Sequence, residues 1–172
     1  MARIGIGPAI WHPLPPDLAA ELGLTIASFG HLEDMLKRAI FALERARLDG
    51  GIVERDFRGW LARMDHVATD SLGTLIDRLD RALVRAEHAD PDLIAQLNEV
   101  KGWRNLLCHA AWQPTAAGLW QPLFVNTGGE IFDSTLTVED LRAIRAMTLD
   151  SARRSARIIH HIEEDSTWAA GE

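Results

Sequence analysis

Arginine, asparagine, cysteine and histidine stand within six residues of one another in Arg104-Asn105-Leu106-Leu107-Cys108-His109, the segment of this chain best equipped for chemistry. A guanidinium is permanently charged and presents a fork of donors suited to phosphate or carboxylate oxygens. An imidazole is the side chain that trades protons near neutral pH. If the segment is helical, Asn105, His109 and Trp112 fall at i, i+4 and i+7 and share a face. Arg104 and His109 lie five apart, about 140° around a helix, so they flank one edge and do not point the same way. A groove between two copies of this helix would bring both groups to one place more easily than a single copy would, which is a geometric argument for a dimer. For His109 alone, a partly buried histidine with satisfied hydrogen bonds is the simpler reading.

The elements needed to hold this segment can be read along the chain. Gly5-Ile6-Gly7-Pro8 and Pro13-Leu14-Pro15-Pro16 cannot propagate a helix, so residues 1–16 read as an irregular arm. Leu18, Leu22, Ile26, Phe29, Leu36, Ile40 and Leu43 then recur at three and four, predicting a long helix from Asp17 to about Asp49. A shorter helix carries Phe57, Trp60, Leu61 and Met64. A third, capped by Thr69 or Asp70, carries Leu72, Leu75, Ile76, Leu79 and Leu83. Asp90 and Pro91 supply a cap and a first helical residue for a fourth helix, whose seam of Leu93, Leu97, Val100 and Leu107 is expected to run as far as Pro114.

Residues 118–136 change character and read as a β-hairpin turning at Asn126-Thr127-Gly128-Gly129, with Pro122 marking its first strand as an edge strand. Thr137-Val138-Glu139-Asp140 has the form of a capping box and opens a last helix to about Glu164; residues 166–172 read as a frayed tail. The expectation is a mainly α fold: one domain over residues 17–165, with four to five helices and a hairpin near 118–136, inserted before the last helix.

Two charges interrupt the apolar seams. Glu33 follows Leu22, Ile26 and Phe29 at a core spacing, and Arg104 does the same after Leu93, Leu97 and Val100. A lone buried charge costs several kcal/mol, so pairing of Glu33 with Arg104 is the economical expectation. Such a pair either orients the guanidinium for chemistry or is simply a packing salt bridge.

Composition bounds the alternatives. Apolar residues make up 47% and charged residues 25%, which suits a folded globular chain and excludes extensive disorder. Cys108 is the only cysteine, so no intrachain disulfide or multi-cysteine zinc site can form, and a reducing, cytoplasmic setting is expected. No apolar run approaches the roughly eighteen residues of a membrane span, and the N-terminus lacks the pattern of an export signal. The net charge of −7 repels polyanions overall, so nucleic acid would need a local basic surface. Arg142, Arg145, Arg153 and Arg157 fall within about 120° of arc on the last helix, either an RNA-facing stripe or an ordinary solvated face. His160 and His161 point about 100° apart and cannot chelate one metal together, so no metal is assigned. Trp103 and Trp112 are core material or platforms for a stacked base. Gly128-Gly129 lacks the context of a phosphate loop.

Arg104, Asn105 and His109 together resemble the motif of the HEPN superfamily, an arginine commonly followed by a polar residue and then a histidine four to six positions on. Phe29-Gly30-His31-Leu32-Glu33, Leu72-Gly73-Thr74-Leu75-Ile76 and Trp112 extend the resemblance to small single-domain bacterial proteins of this kind, over roughly residues 18–113. Cys108 departs from the small residue, often alanine, found there in that group. The resemblance implies a HEPN-like helical bundle and a homodimer. It further implies a metal-independent endoribonuclease without cofactor, often a toxin restrained by an antitoxin protein. Arg104 would then stabilise phosphate charge and His109 act as base, with Asn105 and Glu33 in support. It equally admits a non-catalytic HEPN-like module that dimerises or binds a protein or ligand.

Overall fold

The computed structural model describes residues 12–46, 54–125, 128–129 and 131–169, with side chains at 12–46, 58–125, 128–129 and 131–162. Most of the arm and the glycine pair at 50–51 therefore lie outside the described residues. The order is α1 (Pro16–Ala46), α2 (Glu54–Thr69), α3 (Leu72–Arg85), α4 (Pro91–His109), β1 (Ala111–Pro114), β2 (Trp120–Val125), β3 (Ile131–Phe132) and α5 (Val138–Ala169). The chain is thus mainly helical, with a small three-stranded antiparallel sheet in the order β1-β2-β3. No helix is long and apolar enough to cross a membrane among the described residues.

Leu32, Leu36 and Ile40 of α1, Leu75, Ile76, Leu79 and Leu83 of α3, Leu93, Leu97 and Val100 of α4 and Leu141 of α5 are the most deeply buried apolar side chains. They form one continuous core. Helices α1 and α5 run side by side in the same direction, since Glu21 meets Arg145 near their starts and Phe41 faces Ile159 across a cleft near their ends. Their contact is lined by small polar residues. Thr25, Ser28, Thr148, Ser151 and Ser155 are all buried. Each hydroxyl donates to a carbonyl three or four residues back in its own helix, at 2.6–3.1 Å. Thr25 Oγ1 also lies 3.2 Å from the Leu141 carbonyl across the contact. Internal satisfaction of these hydroxyls lets two helices approach closely without stranding a polar atom.

This contact rotates the early seam of α1. Glu21, Thr25 and Ser28 face inward there, while Ile26, expected in the core, is exposed and Leu22 is half-buried. Helix α3 is capped by Ser71, whose Oγ accepts from Thr74 N–H at 3.3 Å, in place of Thr69 or Asp70. Thr69 and Asp70 fail as caps because α2 itself continues through Thr69. Asp90 and Pro91 start α4 as expected, with Asp90 Oδ1 accepting from Leu93 N–H at 2.9 Å. The capping box at α5 closes reciprocally: Thr137 N–H donates to Asp140 at 2.8 Å and Asp140 N–H to Thr137 Oγ1 at 3.2 Å. The Thr137 N–H and hydroxyl together hold the Asp140 carboxyl below the usual carboxylate range. The helix runs on to Ala169, past the end expected near Glu164, so much of the expected tail is helical.

Two expectations about the strands are corrected. Helix α4 stops at His109, where Ala110 takes an extended conformation with ψ 142°, and residues 111–114 join the sheet as β1. Pro122 lies on the central strand, paired with Trp112, and not on an edge. The proline is accommodated by direction. The Trp120 carbonyl accepts from Leu136 N–H at 3.0 Å, on the side away from β1. Pro122, two residues on, faces that same side, where among the described residues β3 pairs with Phe124 and Val125. Its missing N–H therefore removes no ladder bond. The β1–β2 turn is held by Gly118 at φ +76°, whose N–H donates to the Thr115 carbonyl at 3.0 Å.

Candidate functional site

The last three turns of α4 and the β2–β3 hairpin line an open groove of about 850 Å³. Asn105 and His109 lie one turn apart on the same face of α4, as their spacing requires, and both line it. Glu99, Trp103, Phe124 and Phe132 complete much of the wall. Trp103 meets Phe132 edge to face, with ring centroids 6.1 Å apart and planes at 76°. That contact fixes the hairpin against the helix and sets the width of the groove. His109 is exposed and Asn105 half-buried, so an imidazole and an amide open onto solvent above an aromatic wall.

Arg104 does not line this groove. It is half-buried on the flank of α4, and its Nη1 donates to Asn105 Oδ1 at 3.4 Å. The expected ion pair with Glu33 is not formed: among the described residues no carboxylate pairs with Arg104, and Glu33 is itself only half-buried. Half-burial explains both facts, because each side chain keeps access to water and needs no partner. Trp112 leaves the face it was expected to share with Asn105 and His109. With α4 ended at His109, Trp112 sits in β1 and packs against the core, as Trp103 does. Cys108 is exposed beside the motif.

The arginine stripe of α5 is largely occupied. Arg145 Nε donates to Glu21 Oε1 at 2.6 Å, and Arg142 lies 3.5 Å from Glu21 Oε2 and 3.2 Å from Glu139 Oε1. Arg153 stands 3.8 Å from Asp150. Two of the four arginines thus neutralise a buried carboxylate of α1. Sequence spacing missed this partner because Glu21 lies 124 residues away in the chain.

Arg154, not singled out by spacing, does more to position α4. Its Nη2 donates to both oxygens of Asp90 at 2.8 Å, and its Nη1 to Gln96 at 2.9 Å. Burial works to raise the pKa of Asp90. The Leu93 N–H and the hydrogen bond and charge of Arg154 outweigh it, and hold the carboxyl below its ordinary value.

The groove residues of the hairpin, Phe124 and Phe132, carried only the weak signal of alternating apolar residues. A further cleft of about 1000 Å³, between α1, α2 and α5, lies apart from the motif. Its lining is mostly apolar, with Lys37, Arg38, Arg45 and His160 among it, and none of the motif residues reaches it. Among the described residues no three His, Cys, Asp or Glu side chains cluster as a metal site. No family model, curated protein or solved structure matches this chain.

Proposed function

We propose that this chain is an endoribonuclease of the HEPN kind, acting as a homodimer and cleaving RNA without a metal. The observation that carries the reading is the open groove in which Asn105 and His109 face solvent together beside an aromatic wall. An unstacked base fits against Trp103 and Phe124, which places the adjoining ribose and phosphate near the end of α4. His109 accepts the 2′-hydroxyl proton as the 2′-oxygen bonds to phosphorus. The bond from phosphorus to the 5′-oxygen then breaks, that oxygen takes a proton from water, and His109 returns its own proton to water. The products are a 2′,3′-cyclic phosphate and a 5′-hydroxyl. Asn105 hydrogen-bonds ribose or phosphate, and an Arg104 guanidinium offsets the charge that grows on the phosphoryl oxygens.

A second reading has a specific observation behind it. Arg104 stands outside the groove and leans on Asn105, as suits a non-catalytic module that uses the same groove to bind a protein or small ligand. The two readings part on one experiment: incubation of structured and unstructured RNA with the purified protein in EDTA, alongside His109→Ala and Arg104→Ala variants of unchanged circular dichroism. The nuclease reading expects cyclic-phosphate ends and a loss of about a hundredfold or more in each variant. Absence of cleavage by the unaltered protein, or equal cleavage by all three, refutes it and leaves the binding module.

A further inference from the structure

We infer that the cavity between α2, α3 and the end of α1 is a binding site for a small organic polyphosphate. Arg63 of α2 and Arg78, Arg81 and Arg85 of α3 line a cavity of about 360 Å³, with Ile40 of α1 on its apolar side. The three arginines of α3 are spaced i, i+3 and i+7, which keeps them within about 60° of arc on one face. Glu44 is the sole carboxylate among the described lining residues.

Counting partners shows what is left over. Arg78 pairs with Asp70 and Arg85 with Glu44. Arg81 donates only to the Asp77 backbone carbonyl of its own helix, at 3.0 Å, and Arg63 has no carboxylate partner among the described residues. Two exposed guanidiniums therefore line one cavity with no carboxylate partner among the described residues, in a chain whose net charge is −7. Elsewhere the same chain neutralises its convergent arginines, as Glu21 does for Arg142 and Arg145. Holding two like charges together is unfavourable until an anion lies between them. Guanidinium forks suit phosphate oxygens in pairs, and two of them match the charge of two linked phosphates better than that of a chloride or a carboxylate. The volume lies at the small end of ligand cavities, enough for a diphosphate and part of an attached pentose but not for a folded chain.

The site is independent of the groove beside His109 and stands or falls without the ribonuclease reading. The test is isothermal titration of the full chain with inorganic pyrophosphate, with ATP and with a short RNA oligonucleotide, at matched ionic strength. The variants are Arg63→Gln/Arg81→Gln and, as control, the exposed Arg157→Gln of α5. Neither Arg63 nor Arg81 holds an ion pair, so the double variant is expected to fold, which thermal unfolding checks. Saturable binding of pyrophosphate or ATP, weakened about tenfold for each arginine removed and unchanged in the control, is the expected result. Three outcomes overturn the inference: no saturable binding of either compound, equal binding by the double variant, or binding of the oligonucleotide alone. The last would identify a surface for a nucleic-acid backbone.

Discussion

The contact of Glu21 with Arg145 and Arg142 makes a quantitative demand on stability, because its members differ sharply in exposure. The Glu21 side chain is 7% exposed, Arg145 is 32% and Arg142 is 57%. Replacing Arg145 by leucine strands a buried carboxylate whose shortest bond, 2.6 Å, is gone, leaving Arg142 at 3.5 Å as partial compensation. Loss of a charge-assisted hydrogen bond costs about 1.5–3 kcal/mol. The breaking of a fully buried pair costs about 3–5 kcal/mol. With Arg142 still in reach, about 2 kcal/mol is the expected cost. Replacing Glu21 by leucine instead frees two arginines that water already reaches, and adds apolar area to the α1–α5 contact. Its cost should stay below about 1 kcal/mol. For a chain of this size 1 kcal/mol corresponds to roughly 2–4 °C in Tm. Arg145→Leu should therefore lower Tm by about 4–8 °C, with Glu21→Leu well short of that. The double variant should match Glu21→Leu, since no stranded carboxylate remains. Urea unfolding gives the same ranking. A Glu21→Leu variant as unstable as Arg145→Leu would refute the reasoning, for it would mean the arginines depend on the carboxylate and not the reverse.

Asp90 couples the start of α4 to Arg154, and its depressed pKa fixes the sign of a pH effect. A carboxyl whose folded pKa lies below its unfolded value contributes stability that is full above the unfolded value and is lost as pH falls through the folded one. In urea unfolding between about pH 6 and about pH 3, the stability gap between the unaltered chain and Arg154→Met should shrink below the ordinary Asp value of 3.8; a constant gap would contradict this. Glu87 ends α3 in the left-handed region at φ 61°, with His88 N–H donating to the Leu83 carbonyl at 2.9 Å. Glu87→Gly should raise stability by about 0.5–1 kcal/mol, whereas Glu87→Ala should not; equal stability of the two would show that the backbone there is unstrained.

What could be read in advance was local. Asp90-Pro91 and Thr137 with Asp140 set the starts of α4 and α5, because a cap acts within one turn and its partners are neighbours in sequence. Asn105 and His109 share a face for the same reason. Long-range contacts were not legible. The end of α4 is set by pairing of Trp112 with Pro122, ten residues on, which competes with a helical pattern that the apolar spacing alone would continue. Pro122 looked like an edge residue because its direction within the strand depends on where Leu136 returns. The pairing of Glu33 with Arg104 rests on seam positions of two ideal helices. The α1–α5 contact rotated the first seam toward Glu21, so the inward carboxylate of α1 is a different one. Spacing places the arginines of α5 on one arc, but the use of Arg142 and Arg145 against Glu21 depends on that same contact.

The proposed chemistry also fixes what a second copy must do. Arg104 and His109 are separated by about 140° on one straight helix, and only His109 opens into the groove. A phosphate that meets both groups must therefore take them from two chains, or Arg104 must swing around its own helix past Asn105. Mixing inactive variants separates these routes. Under a two-chain site, a dimer of one Arg104→Ala chain and one His109→Ala chain holds one site with both defects and one with neither. Random pairing of equal amounts makes half of the dimers mixed, so about a quarter of the full cleavage rate should return after subunits exchange. Under a one-chain site every groove keeps one defect and no activity returns. Failure to recover cleavage, with exchange verified by a mass-tagged chain, would exclude the composite site and require the Arg104 side chain to reach the groove of its own chain.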